Sequence, residues 1–160
     1  MPRRKTKEFI RDVGVDPIYG SELIQRMINV VMERGKKNAA RSIVYEAIEV
    51  LAKKANGDKQ KALELFGKAF EQVIPLVEVR PRRVGGSVYQ IPVEVHEKRA
   101  RSLALRWIIK AAQARTNKTM GQRLGYELLE AIEGRGNAIK KKLETHKMAE
   151  SNRAFAHFAW

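Results

Sequence analysis

Apolar residues recur along this chain at three- and four-residue intervals, except in one stretch where they alternate with arginines. Leu23, Ile24, Met27, Ile28 and Val31 mark a first amphipathic helix, opened by Ser21 as N-cap and stopped at Gly35. Ala40, Ile43, Val44, Ala47, Ile48 and Leu51 form the inner stripe of a second helix over about 37–55, which Asn56-Gly57 ends. Asp58 caps a third, with Leu63, Phe66, Ala69, Phe70 and Val73 inward, and Pro75 closes it. Ala100, Leu103, Ala104, Trp107, Ile108 and Ala111 line a fourth. Thr119 caps a fifth carrying Leu124, Leu128, Leu129 and Ile132, and Gly134 and Gly136 bracket the next break. A sixth, more polar helix starts near Asn137 with Ile139, Leu143 and Met148 as anchors and leads to Phe155, Phe158 and Trp160.

Residues 77–95, VEVRPRRVGGSVYQIPVEV, break this period. Gly85-Gly86 supplies the positive-φ pair of a two-residue type I′ turn, and Val, Tyr and Ile flank it as strand formers. Pro81 and Pro92 cannot donate to a ladder, so each strand must have a free edge, as both do in an isolated ribbon. Pairing across the turn sets Arg82 opposite Tyr89, Arg80 opposite Ile91 and Arg83 opposite Val88, so both faces mix cation with apolar surface and neither reads as core. A lone ribbon is marginal in water, so its base is expected to dock on the helices. The fold class is therefore mainly α: a single-domain bundle of six helices over 1–160 with a protruding two-stranded β-hairpin arm at 77–95, a basic N-terminal tail at 1–12 and an aromatic C-terminal tail at 153–160.

Charge changes the picture most. The chain carries 32 Lys plus Arg against 18 Asp plus Glu, a formal net charge of +14 over 160 residues. Attraction of such a body to phosphate releases counterions, which makes nucleic acid the natural partner. No run approaches the ~18 apolar residues of a spanning helix and the N-terminus has no apolar signal core, so no membrane partner and a cytoplasmic location are expected. With no cysteine there are no disulfides and no thiolate metal sites.

The cations cluster where a bundle would expose them: Arg3, Arg4, Lys5 and Lys7 in the tail, Arg34, Lys36, Lys37 and Arg41 at a helix joint, and Arg80, Arg82 and Arg83 on the ribbon. No acidic residue lies within Arg80 to Arg83. On the fourth helix Arg99, Arg106 and Lys110 share one stripe and Arg101 lies off it. Lys140 to Lys142 read as a solvated face beside Glu144. Tyr89 suits either stacking on a base or packing against Arg82. Guanidinium groups pair bidentately with phosphate and stack on unpaired bases, so these residues point to a folded RNA read by shape.

A catalytic set is missing. His96-Glu97 begins like a zinc-protease helix, but Ala100 stands where the second ligand belongs. Gly134-Arg135-Gly136 follows a helix, and Ile139 replaces the third glycine of a dinucleotide loop. His146 and His157 have no partner at metal spacing and read as RNA-facing or packing residues, while Trp107 and Phe66 read as core. No cofactor is expected. Two other classes compete: an architectural DNA-binding protein, which would also pair a basic body with a proline-bearing arm, and a nucleic-acid-modifying enzyme, which lacks its acids and bases.

Five segments carry a resemblance: GSELIQRMINVVMERGKK over 20–37, SIVYEAIEVL over 42–51, PRRVGGSVYQIPVEV over 81–95, LRWIIKAA over 105–112 and HKMAESNRAFAHFAW over 146–160. With them the chain resembles the bacterial small-subunit ribosomal protein seven family over nearly its whole length. Some members continue past the terminal aromatic residue where this chain stops, and here the arginine pair follows Pro81. The resemblance implies six helices with a protruding ribbon, no enzymatic activity, and primary binding to the 3′ major domain of small-subunit ribosomal RNA, nucleating the subunit head. It also implies a place near the exit-site tRNA and the departing mRNA, contacts with the ninth, eleventh and nineteenth small-subunit proteins, and a monomer off the ribosome. Carried over by position, the RNA contacts are Arg3, Arg4, Lys5, Lys7, Lys36, Lys37, Arg80, Arg82, Arg83, Gly85 and Gly86, extended by Arg99, Arg101 and Arg106, and the charge pattern adds Arg34 and Arg41 at the joint. Arg82, Arg83, Gly85, Gly86 and Tyr89 fall in the vicinity of exit-site tRNA or mRNA.

Overall fold

Each predicted cap is a working hydrogen bond in the computed structural model, which describes residues 12–158. The tail cations Arg3, Arg4, Lys5 and Lys7, and Trp160 at the other end, lie outside the described residues. Ser21 Oγ accepts from the Ile24 amide and opens α1 (Glu22–Val31). After a turn in which Arg34 and Gly35 both take positive φ, α2 runs Lys37–Lys54. Asp58 accepts from the Gln60 and Lys61 amides at the head of α3 (Lys59–Val73). The strands β1 (Val77–Val84) and β2 (Ser87–Glu94) follow, then α4 (Glu97–Gln113), α5 (Met120–Ile132) and α6 (Asn137–Ser151). A short 3-10 helix, Arg153–Phe158, which the apolar period did not predict, completes the described chain. Thr119 caps α5 through the Gln122 amide, and His96, read only as a rejected zinc ligand, caps α4.

The core gathers around α2, whose Val44, Ala47, Ile48 and Leu51 meet Leu124, Leu128 and Ala131 of α5 and Phe66, Ala69 and Phe70 of α3. Trp107 and Phe66 are in or against this core, as their helical positions require. Two glycines on one face of α5 set the α2–α5 approach: a Cβ on Gly121 would meet Glu46, and one on Gly125 would lie 2.7 Å from Val50 Cβ. Alanine gains up to about 1 kcal/mol in a helix interior, whereas overpacking against a branched side chain costs about 1–3 kcal/mol. Gly125→Ala is therefore expected to lower stability to urea, and a variant that is more stable would contradict this packing.

Before α1 the chain is pinned by Asp16, which is fully buried. Its carboxylate accepts from the amides of Ile18 and Tyr19 and, at 2.7 Å, from the Tyr45 hydroxyl. Burial, reinforced by the hydrogen bond to Asp16, pushes Tyr45 up to about 12.

The ribbon pairs in the predicted register, with Arg82 opposite Tyr89, Arg80 opposite Ile91 and Arg83 opposite Val88. Gly85 and Gly86, at φ 56° and 89°, close the turn in the left-handed region that a type I′ turn needs. Two expectations need correction. Neither ribbon face read as core, yet Ile91 is 0% exposed and Glu78 is buried, because both strands lie against α6 and β2 also lies against the 3-10 helix. The docking continues past the base as far as Tyr89, whose ring centroid stands 4.9 Å from Phe155 and 6.5 Å from Phe158. The second correction concerns α6. Leu143 and Met148 are 58% and 47% exposed; the buried positions are Ala138, Ile139 and Ala149. Ala138 packs in the helical core and Ala149 lines a groove with Val77, Pro92 and Val93 of the ribbon, and a period read from large apolar residues misses both.

Candidate nucleic-acid interface

Helix α4 connects the basic groups that the sequence singled out. Around its middle, Leu103 and Trp107 share a groove with Glu78, Val79 and Gln90 of the ribbon and with Lys141, Thr145 and Met148 of α6. At its C-terminal half, Ile109 and Gln113 share a cavity of about 240 Å³ with Glu33, Lys36, Ala39 and Ile43 of the α1–α2 joint. The rise of an α-helix puts Arg99 and Gln113 about 21 Å apart. Arg106 and Lys110, both exposed, lie on the stripe between them. Along α4 the ribbon base with Arg99, then Arg106 and Lys110, then Lys36 of the joint thus follow one another. Arg101 is not in this series: it pairs with Glu97 and lines a separate groove with Arg26, Leu23 and Phe70 of α1 and α3.

At the joint, Arg34, Lys36 and Lys37 are exposed, and the N-terminus of α2 has no side-chain cap and no acid in its first turn. The positive pole of a helix dipole repels cations, so this arrangement is unfavourable in the free protein and an incoming phosphate would relieve it. Arg41 donates to Asn38 Oδ1, while its Nε is buried without a hydrogen-bond partner.

At the ribbon base the sequence reading needs a third correction. No acid lies within Arg80 to Arg83, but Glu78, two residues upstream and hence on the same strand face as Arg80, accepts from Arg80 Nε at 2.5 Å and from Arg99 Nε at 2.8 and 2.9 Å. Burial pushes the Glu78 carboxyl up, and the hydrogen bonds from Arg99 and Arg80 outweigh it and hold the group below the usual carboxylate range. Nearer the turn, Arg83, Gly85, Gly86 and Val88 are exposed. The sequence suits Tyr89 to stacking on a base or to packing on Arg82, and the rings it meets in the structure are those of Phe155 and Phe158.

His146 also proves structural. Its Nε2 accepts from the Leu76 amide at 3.2 Å, just before β1, and beside it Lys142 donates to the Gln72 carbonyl. Burial, then the nearby Lys142 charge, lowers the His146 pKa. A protonated imidazole cannot accept, so this contribution is complete above the unfolded value of about 6.5 and is lost as pH falls through the lower folded pKa. An NMR titration should show the His146 ring protonating below pH ~6.5 and the Leu76 amide losing protection as it does. Protonation at or above that value would contradict the contact.

Among the described residues no group of three or more His, Cys, Asp or Glu side chains could hold a metal ion, and no helix is long and apolar enough to cross a membrane. The family model described as ribosomal protein S7p/S5e matches residues 2–153. The small ribosomal subunit protein uS7 of Thermosipho melanesiensis is 53% identical over 157 residues, covering 98% of this chain and 99% of that protein. The protein of the same name from Acidithiobacillus ferrooxidans is 51% identical over 160 residues and the full length of both chains. That of Thermotoga petrophila is 50% identical over 157 residues. With the helical body, the β-hairpin and these full-length matches together, the chain belongs to the ribosomal protein S7p/S5e family, whose members are structural components of the ribosome and not enzymes.

Proposed function

We propose that this chain is a primary binder of small-subunit ribosomal RNA that holds a junction of the 3′ major domain in one geometry and so nucleates the subunit head in the cytoplasm. The observation that carries this reading is the basic edge along α4, with the joint cations Arg34, Lys36, Lys37 and Arg41 at one end and Arg80, Arg82, Arg83 and Arg99 at the other. A rigid body with cations at both ends neutralises phosphates of separate RNA strands together, and the fixed spacing that α4 imposes between them selects junctions by shape. Double-helical RNA hides its base edges in a deep narrow groove, so shape and unpaired bases are what such a surface reads. Arg106 belongs to the middle of this edge, and the tail residues Arg3, Arg4, Lys5 and Lys7 are further RNA contacts. Arg101, in its own groove, is a peripheral contact. The ribbon tip, with Arg82, Arg83, Gly85, Gly86 and Tyr89, faces the exit-site tRNA and departing mRNA, and neighbours in the head and platform are the ninth, eleventh and nineteenth proteins.

The absence of cysteine allows a cleavage probe to be attached at one chosen site. Tethered iron at Asn38→Cys on the joint and Val88→Cys near the ribbon tip should cut two separate strands of the 3′ major domain, and iron at Gln60→Cys, exposed at the head of α3 beyond the opposite end of α2 from the joint, should cut neither. Identical cleavage from all three positions, or none in that domain, would overturn the proposal.

A further inference from the structure

Glu78 is placed oddly for a protein of this charge. It is 6% exposed, at the centre of the cationic ribbon base, where a carboxylate weakens attraction to phosphate. Burying a carboxylate is strongly unfavourable unless it is fully paired. Its pairing is close to complete: Oε1 accepts from Arg80 Nε and lies 2.5 Å from Arg80 Nη2, and both oxygens accept from Arg99 Nε. One guanidinium belongs to the ribbon and the other to α4, so a single carboxylate ties the two elements together. Each arginine remains about half exposed, at 50% and 47%, and neither Nη group of Arg99 takes part in these bonds.

We propose that Glu78 is a positioning residue for RNA: by gripping the Nε edges of Arg80 and Arg99 it holds their outer N–H groups as a fixed pair for adjacent phosphates. The inference rests on the RNA-binding reading above. A planar guanidinium presents its donors in a rigid fork, so fixing one edge fixes where the other points, and the ordering cost that a mobile arginine would incur on binding has already been met in the free protein. Glu78 therefore lowers affinity for polyanions in general while raising it for RNA whose phosphates match the pair.

This gives opposite signs for matched and unmatched ligands. Glu78→Gln keeps the shape and raises the net charge by one. Against a 3′ major domain fragment it is expected to bind about tenfold more weakly than the native chain, whereas binding to an unrelated structured RNA and to duplex DNA should be equal or tighter. Glu78→Asp, which leaves net charge unchanged but draws the carboxylate back by one methylene, should also lose about tenfold on the fragment alone and supplies the answer if the glutamine variant does not fold. A fragment affinity that is unchanged or rises in parallel with the unmatched ligands would overturn the positioning role. If the native chain shows no preference for the fragment, the RNA-binding reading falls and this inference with it.

Discussion

Replacing Arg80, Arg82 and Arg83 together by alanine is expected to weaken binding to small-subunit ribosomal RNA on the order of 10²-fold near 0.1 M salt, and to reduce the slope of log affinity against log salt by roughly 2 to 3 units. The reasoning is one phosphate per arginine, each released counterion contributing its share. Helix content should not change. The ribbon's attachment rests on Ile91, on the aromatic group of Tyr89, Phe155 and Phe158, and on the contacts of β1 and β2 with α6, none of which needs the arginine head groups. Glu78 keeps Arg99 when Arg80 is removed. An affinity loss with an unchanged slope would mean that these side chains hold the ribbon's shape and do not touch phosphate.

The largest effect on stability is expected at Arg115. Glu127, on α5, is 0% exposed. Its Oε1 accepts from the Ala138 amide at 2.8 Å, in the first turn of α6, and its Oε2 accepts from Arg115 Nε at 2.7 Å. Arg115 also reaches Glu130, with Nη1 donating at 3.0 Å. The Gly136 backbone, at φ 94°, lies so near that a Cβ there would stand 2.8 Å from Glu127 Oε1. One buried carboxylate thus joins the end of α4, α5 and the start of α6, the helix that supports the ribbon. Arg115→Ala leaves that charge without its partner, which costs about 3–5 kcal/mol, and Arg115→Lys should recover only part because an ammonium cannot serve two carboxylates with a planar fork. Urea denaturation measures both. Glu130 adds a pH signature. Hydrogen bonding from Arg115 holds its carboxyl below the usual range, so its contribution is complete above the unfolded value of about 4.3 and is lost as pH falls through the folded pKa. In Arg115→Ala that segment of the acid-stability curve should flatten.

The sequence made the helices and the ribbon register legible because those features are set locally, by caps such as Ser21, Asp58 and Thr119, by the period of large apolar side chains and by Gly85-Gly86. Several of its misses share one physical cause: they depend on partners distant along the chain. Glu78 meets Arg99 across 21 positions, His146 meets the Leu76 amide across 70, and Tyr89 finds its rings at Phe155 and Phe158. Glu127 did leave a signal, since it interrupts the apolar stripe of Leu124, Leu128 and Ala131 at a position that helical spacing turns inward. A carboxylate there must either distort the helix or find a cation. Leu143 and Met148 mislead for the reverse reason: large apolar residues at helical spacing look buried, while the positions of α6 that are buried are Ala138, Ile139 and Ala149. Of the candidate interface, the exposed cations were readable as types and positions, but the pairing that restrains Arg80, Arg99 and Arg101 was not.

The central claim is that a fixed basic edge recognises one ribosomal RNA shape, and the most direct measurement is a salt titration of binding to a 3′ major domain fragment beside an unrelated structured RNA of equal length and a duplex DNA. Preference for the fragment that persists as salt rises, with the other two falling away, is the predicted result. Three curves that coincide and collapse together would contradict it and leave only attraction between a +14 protein and any polyanion.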